Sequence, residues 1–273
     1  MKPLILSLLG ITLMIGLAAC SGEKDEWEEE IPVSLRIGFL SQTKVVAHRG
    51  YWDTKGSAEN SLAALQKAAE AGFYGSEFDV RFTLDGVPVI CHDEKINEVM
   101  IETAYYDRIK NIKLSNGETL PTLQQYLRRG KELDIQLILE LKVNKSSEKD
   151  LKYAATIVSM VKEMGMEEQV EYISFSVPVC REFIRLSPQS SVSFLGGYIP
   201  PSELKKQGFT GMDYLCDVLR EKPEWIREAK ELGLTVNVWI VNDLLMMYDF
   251  ILKEVDFITT DRPAHLKQML GHP

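Results

Sequence analysis

From Lys44 onward, short apolar runs alternate with segments whose apolar residues recur three and four positions apart. The first pattern predicts buried strands and the second amphipathic helices. Residues 44–47 form a first strand that ends in His48-Arg49-Gly50. Residues 60–72 carry Leu62, Leu65, Ala68 and Ala69 at helical spacing and stop at Gly72. Residues 76–82 and 87–91 read as strands joined by a turn at Asp85-Gly86. The stretch 95–121 is polar and irregular, and Pro121-Thr122 then opens a helix over 123–133. A strand over 135–143 follows. The alternation continues through helix 151–164, strand 170–175, helix 181–186, strand 191–195, helix 202–207 and strand 212–215. It ends with helix 223–232, strand 234–241, helix 244–253 and strand 257–259.

Such alternation predicts a parallel sheet with right-handed crossovers. Roughly eight strand–helix steps suit a single closed (β/α)8 TIM barrel over residues 44–273. An open doubly wound sheet is the alternative, but it carries its phosphate site in a glycine-rich first turn. Here that turn is His48-Arg49-Gly50, and neither a GxGxxG nor a P-loop pattern occurs.

The segment before the barrel has a different character. Lys2 precedes an uncharged run from Leu4 to Ala19, which closes on Leu17-Ala18-Ala19-Cys20. A basic start, an apolar stretch and small residues before a cut form the secretory pattern. Residues 1–19 are therefore expected to be a lipoprotein signal peptide, with Cys20 lipidated as the mature N-terminus. A plain transmembrane anchor is the alternative, although the run falls short of the ~20 residues a span needs. Residues 20–43 would be a lipidated tether and lead-in, acid-rich at Glu23, Asp25, Glu26 and 28–30. The chain is expected at the bacterial cell envelope, on the periplasmic or surface face of the outer membrane.

Composition narrows the function classes. With 273 residues, 45% hydrophobic and 26% charged, the chain is neither collagen-like, nor disordered, nor a multi-pass membrane protein. A formal charge of -9 argues against a nucleic-acid partner. Four Cys and four His are too few for a disulfide scaffold or a multi-zinc module. Cys91, Cys180 and Cys216 form no CxxC and read as buried small hydrophobes.

In a barrel the active site lies at the C-terminal ends of the strands, and the unusual polar residues fall there. His48 and Arg49 end the first strand, and His92 and Asp93 follow the run 87–91. Glu77 and Asp79 lie two apart and share one strand face, opposite Phe78 and Val80. Glu140 and Lys142 repeat that spacing, opposite Leu137, Leu139 and Leu141. Charges inside a buried strand need partners, a metal or a function. The plain alternatives are a solvent face on an edge strand and a simple Glu140–Lys142 salt bridge. Three carboxylates at neighbouring strand ends repel, and one divalent cation relieves that repulsion. All-oxygen ligation suits Ca²⁺ or Mg²⁺. Two His, an Arg and a Lys around such a cation suit a phosphate ester.

The ordered motifs carry a resemblance. They are Ala47-His48-Arg49-Gly50, Glu59-Asn60-Ser61, Glu77-Phe78-Asp79-Val80, the hairpin from Leu84 to Asp93 and Leu139-Glu140-Leu141-Lys142. Val238-Trp239-Ile240-Val241-Asn242 and Ile258-Thr259-Thr260-Asp261-Arg262-Pro263 complete the set. Together they resemble the glycerophosphodiester phosphodiesterase family. The resemblance implies a TIM barrel of the PI-PLC-like phosphodiesterase type and hydrolysis of glycerophosphodiesters to glycerol 3-phosphate and an alcohol. It implies His48 and His92 as general acid and base, and Glu77, Asp79 and Glu140 as metal ligands with Glu59 beside them. Arg49 and Lys142 would contact the phosphate, and Trp239 would wall the pocket.

Departures are modest: Ser61 replaces the family's Thr, and the segment 95–121 is short. That segment is expected to border the pocket, with Tyr105, Tyr106 and Arg108 as candidates there and plain surface packing as the equal alternative for each. A phospholipase acting on intact lipid head groups is the rival enzyme, and it would carry a long apolar rim on the strand–helix loops. No such rim is legible in the sequence. A non-catalytic phosphodiester-binding lipoprotein would lack a His or a carboxylate, and here all are present.

Overall fold

The computed structural model describes residues 31–37, 41–144 and 147–271. The expected signal peptide, Cys20 and the acidic run at 23–30 lie outside the described residues. The strands are β1 (Lys44–Ala47), β2 (Gly75–Phe82), β3 (Pro88–Ile90), β4 (Lys95–Ile96), β5 (Val99–Met100), β6 (Gln136–Leu141), β7 (Val170–Ser174), β8 (Val192–Phe194), β9 (Gly211–Leu215), β10 (Thr235–Trp239) and β11 (Phe257–Thr260). The helices are α1 (Leu62–Glu70), α2 (Tyr106–Ile109), α3 (Leu123–Leu133), α4 (Ser147–Glu163), α5 (Val177–Leu186), α6 (Pro201–Lys206), α7 (Cys216–Glu221), α8 (Glu224–Glu231), α9 (Leu244–Leu252) and α10 (Pro263–Leu270). None of the described helices is long and apolar enough to cross a membrane.

Eight of the strands close a parallel barrel. The order runs β1, β11, β10, β9, β8, β7, β6, β2, and β2 pairs back onto β1. β3 is not part of the ring; it folds back antiparallel on β2, as the Asp85-Gly86 turn requires. Closure makes every barrel strand two-sided. On β6, Leu137, Leu139 and Leu141 join the core under the helices, while Ile138 packs inside the barrel with Val46, Ile173 and Leu195. Outside the barrel, Phe78 stacks on Tyr126 of α3 with ring centroids 4.3 Å apart.

The lower barrel interior is partly polar and carries its own hydrogen bonds. Tyr74 Oη donates to Glu171 Oε1 at 2.6 Å, and Asn237 Nδ2 donates to Thr259 Oγ1 at 2.9 Å. Gly211 belongs to this layer for want of space, because a Cβ there would collide with Thr235 Oγ1 and Ser193 Oγ.

Helix starts follow local chemistry. Thr122 and Gln125 form a reciprocal capping box that starts α3 at the expected residue. Ser176 caps α5 with a Pro in its first turn, so this helix begins earlier than the 181 expected from periodicity. α4 likewise starts ahead of 151. α7 and α10 were not legible as helices: α7 is one short turn beyond β9, and α10 starts at Pro263. The irregular segment 95–121 holds the β4–β5 hairpin and α2, over a small core of Val89, Ile101, Ala104, Ile109 and Leu120.

Candidate active site

Strand register brings the carboxylates together. Glu77 and Asp79 both enter the barrel from β2, and Asp79 pairs across with Glu140 of β6. One oxygen from each of Glu77, Asp79 and Glu140 lies within 4.8 Å of the others. The three residues are 4%, 1% and 7% exposed, which excludes a solvent face on an edge strand. Lys142, just past β6, reaches back into the cluster. Its Nζ lies 3.0 Å from Asp79 Oδ1 and 3.0 Å from Glu140 Oε1.

Two strained turns complete the cradle. Arg49 has φ 54° and Asn60 has φ 60°, both in the left-handed region that non-glycine residues seldom adopt. The turn at Arg49 lets its backbone N–H donate to Glu77 Oε2 at 2.9 Å. Asn60 grips Asp79 twice: Nδ2 donates to Oδ2 at 2.9 Å, and Oδ1 accepts the Asp79 N–H at 3.1 Å. Asn60 N–H in turn donates to the Arg49 carbonyl at 2.9 Å.

The protonation balance shows what the cluster lacks. Burial pushes Glu77 well above the usual carboxylate range, and the charges of Asp79 and Glu140 add to the shift. Burial pushes Glu140 up to about 7 against the pull of Lys142. Burial acts on Asp79 too, but Lys142 and the Asn60 hydrogen bond outweigh it and hold that carboxyl below its ordinary value. Lys142, with Arg49 Nε 3.7 Å from Asp79 Oδ2, thus satisfies one carboxylate and leaves the other two short of positive charge. A hard divalent cation with oxygen ligands fits that deficit.

Arg49 faces the same space. Its Nη1 donates to Glu59 Oε2 at 2.7 Å, and its Nε is buried without a hydrogen-bond partner. Glu59 is therefore placed on the guanidinium and stands outside the three-carboxylate cluster.

Each histidine has a carboxylate on Nδ1. His48 Nδ1 lies 2.7 Å from Asp261 Oδ1, and His92 Nδ1 lies 2.8 Å from Asp93 Oδ1. His48 Nε2 is 4.0 Å from Glu77 Oε2. Asp261 is fixed by Trp52 Nε1 at 3.2 Å and Asn242 Nδ2 at 2.7 Å. Burial would raise the Asp261 carboxyl, but the His48 contact and the Asn242 and Trp52 hydrogen bonds bring it down to about 2. Burial lowers the pKa of His92, and Asp79 and Asp93 only partly oppose it.

A cavity of about 190 Å³ opens among these groups. His48, Arg49, Glu77, His92, Glu140 and Lys142 line one side; Ile173, Phe175, Leu195, Trp239 and Ile240 line the other. Trp239 stands at the wall, as the motif implied; its Nε1 donates to the Asp213 carbonyl at 2.9 Å, and its ring meets Phe175 edge-on at 5.6 Å. Asp213 also borders the cavity, 2% exposed, with Oδ1 unpartnered and burial raising its carboxyl to about 8. Tyr105, Tyr106 and Arg108 are not among the lining residues; Tyr105 and Arg108 are exposed, and Tyr106 packs on the small core of its own segment.

Sequence reasoning missed the supporting residues. Asp261, Asn242 and Asn60 stand inside the quoted motifs, but Trp52 and Asp213 carry no motif. Asp261 is 213 positions from His48, so only barrel closure, which sets β11 beside β1, joins them.

The sequence profile of the glycerophosphoryl diester phosphodiesterase family matches residues 48–265. A glycerophosphodiester phosphodiesterase of Caldanaerobacter subterraneus subsp. tengcongensis is 28% identical over 241 residues, covering 82% of this chain and 96% of the relative. A crystal structure of a glycerophosphodiester phosphodiesterase from Parabacteroides distasonis superposes with TM-score 0.83 at 50% identity, covering 84% of this chain and 97% of that one. An Oleispira antarctica phosphodiesterase, solved with its product sn-glycerol-3-phosphate, shares the fold with TM-score 0.73 at 22% identity, covering 83% and 96%.

The Asp261 network has a pH signature. Its carboxyl falls from an ordinary 3.8 to about 2 in the folded chain. A depressed folded pKa contributes stability that is complete above the unfolded value and is lost as pH falls through the folded one. Denaturant unfolding of the wild type and Asp261→Asn should therefore differ most near neutrality, with the gap closing between about pH 4 and pH 2. A gap that stays constant over that range would contradict the assignment.

Proposed function

The chain belongs to the glycerophosphodiester phosphodiesterase family, a phosphoric diester hydrolase by that membership, and we propose that it cleaves glycerophosphodiesters to glycerol 3-phosphate and an alcohol. The observation that carries this reading is the meeting, in one small cavity, of the three-carboxylate cluster with two carboxylate-bound histidines. A binding protein has no need of paired proton carriers.

Glu77, Asp79 and Glu140 would hold one Ca²⁺ or Mg²⁺, with Glu59 reaching the metal site only through Arg49. When bound, the cation supplies a Lewis acid that offsets charge developing on the phosphate. Arg49 and Lys142 bind the phosphate oxygens, a role supported by their place in the cavity lining and by the Arg49 Nε, which makes no hydrogen bond and only a 3.7 Å ion pair with Asp79. With Nδ1 of each histidine engaged by a carboxylate, Nε2 is the atom left for chemistry. One imidazole takes the proton from a glycerol hydroxyl of the substrate as that hydroxyl attacks phosphorus, and the other protonates the departing alcohol. A cyclic phosphate results. Water then opens the ring while the two histidines exchange roles. Burial lowers the pKa of His92, which favours its neutral form at neutral pH.

The test is release of glycerol 3-phosphate from several glycerophosphodiesters. Stripping with EDTA should abolish release, and Mg²⁺ or Ca²⁺ should restore it. His48→Ala or His92→Ala should cut turnover by ~10²–10⁴-fold with the unfolding midpoint nearly unchanged. The double variant should lose less than the product of the single losses. Full turnover in metal-stripped enzyme, or near-normal turnover in His92→Ala, would overturn the corresponding role.

We further propose that Cys20 carries the lipid that holds the domain at the cell envelope, supported by the sequence Leu17-Ala18-Ala19-Cys20 after an uncharged run. Cys20→Ser should release a folded, active enzyme from membrane fractions. A variant that still sediments with membrane would instead favour anchoring through residues 4–19.

A further inference from the structure

Asp213 of β9 is a buried carboxyl that the chemistry above does not use. It is 2% exposed, and Asn237 hydrogen-bonds the carboxyl while Oδ1 is left without a partner. A buried polar atom without a partner is uncommon in a native fold and asks for an explanation. The residue itself is firmly placed. The Trp239 indole N–H donates to the Asp213 carbonyl at 2.9 Å. Asn237, its register partner on β10, is tied in turn to Thr259 of β11, with Nδ2 donating to Oγ1 at 2.9 Å.

Asp213 stands between two spaces. The void it shares with Ser193, Thr235 and Asn237 is about 10 Å³, room for about one water. The other space is the catalytic cavity of about 190 Å³, so a ligand larger than water reaches Asp213 only from there. On that side of the cavity the wall is otherwise short of polar partners. The side chains of Ile173, Phe175 and Leu195 offer none. The Trp239 N–H is spent on the Asp213 carbonyl, and the Thr259 hydroxyl is spent on Asn237. Among the described side chains opposite the cationic and metal-binding groups, Asp213 Oδ1 is the polar atom left free.

The glycerol of the substrate has three oxygens. One carries the phosphate and one attacks phosphorus, which leaves a terminal hydroxyl. Enclosed in so small a cavity, that hydroxyl costs free energy unless it is hydrogen-bonded. A carboxyl oxygen can bond a hydroxyl in either protonation state, as acceptor or as donor. We propose that Asp213 is a specificity-determining residue whose Oδ1 bonds the glycerol hydroxyl that takes no part in the reaction. This rests on the hydrolysis proposed above and deepens it. A bond there also orients the neighbouring hydroxyl for its attack. The enzyme thereby selects diesters of glycerol over those of a diol that lacks the third oxygen.

The experiment compares glycerophosphocholine with 2-hydroxypropyl phosphocholine, which keeps the attacking hydroxyl and lacks the terminal one, using the full chain with Mg²⁺ or Ca²⁺. The wild type should favour glycerophosphocholine by ~10–10²-fold in kcat/KM. In Asp213→Ala that preference should collapse to about twofold or less, with the analogue cleaved nearly as well as by the wild type. Asp213→Asn still offers a hydrogen-bonding atom and should retain most of the preference. No preference in the wild type, or one that survives in Asp213→Ala, would overturn the inference and leave the hydrolase reading intact. Should Asp213→Ala not fold, a crystal structure of the wild type with glycerol 3-phosphate decides. A terminal hydroxyl within about 3.2 Å of Asp213 Oδ1 supports the inference, and a hydroxyl bonded elsewhere overturns it. Failure of the wild type to cleave glycerophosphocholine would overturn the hydrolase reading, and the inference with it.

Discussion

Glu77, Asp79 and Glu140 are buried within 4.8 Å of one another at the barrel mouth, with a single ammonium between two of them. Like charges so placed repel strongly because the surrounding dielectric is low. The chain offsets this unevenly. Asp79 receives Lys142 and both ends of the Asn60 amide, so it stays ionised. Glu77 receives one backbone N–H and is driven toward its neutral form. The left-handed backbone at Arg49 and Asn60 is the conformational cost of delivering those donors, and strain of this kind is concentrated at functional sites. A divalent cation would complete what folding leaves incomplete.

Closure of the barrel is what makes the arrangement possible. β1 and β11 come from opposite ends of the domain, and their pairing sets Asp261 beside His48. Asn242 and Trp52 then lock the carboxylate from two further loops. Around the ring the mouth divides by strand. β1, β2, β3 and β6 lead to His48, Arg49, Glu77, His92, Glu140 and Lys142, and β7 to β10 bring Ile173, Phe175, Leu195 and Trp239, with Asp213 of β9 buried among them.

Much of this was legible before the fold was known, because its signals are local. The two-residue spacings Glu77–Asp79 and Glu140–Lys142 state which side chains share a face. The alternation of runs states that the sheet is parallel, and the capping box at Thr122 fixes the start of α3. What escaped depends on contacts between distant segments. Asp261 becomes the partner of His48 and of Trp52 only when the ring closes. Glu59 stands in a motif that suggested a place beside the metal, but its side chain answers the nearer charge of Arg49. Tyr105 and Arg108 were candidates only by their place after the second strand, with surface packing the equal alternative, and both are exposed and outside the cavity lining.

The central claim is that the buried carboxylates form a site for one divalent cation. Calorimetric titration of the metal-stripped chain with Ca²⁺ and with Mg²⁺ tests it without reference to turnover. The account predicts saturable binding of one ion per chain, lost in Asp79→Asn and weakened in Glu140→Gln. No binding to the wild type, or binding left unchanged by Asp79→Asn, would contradict it.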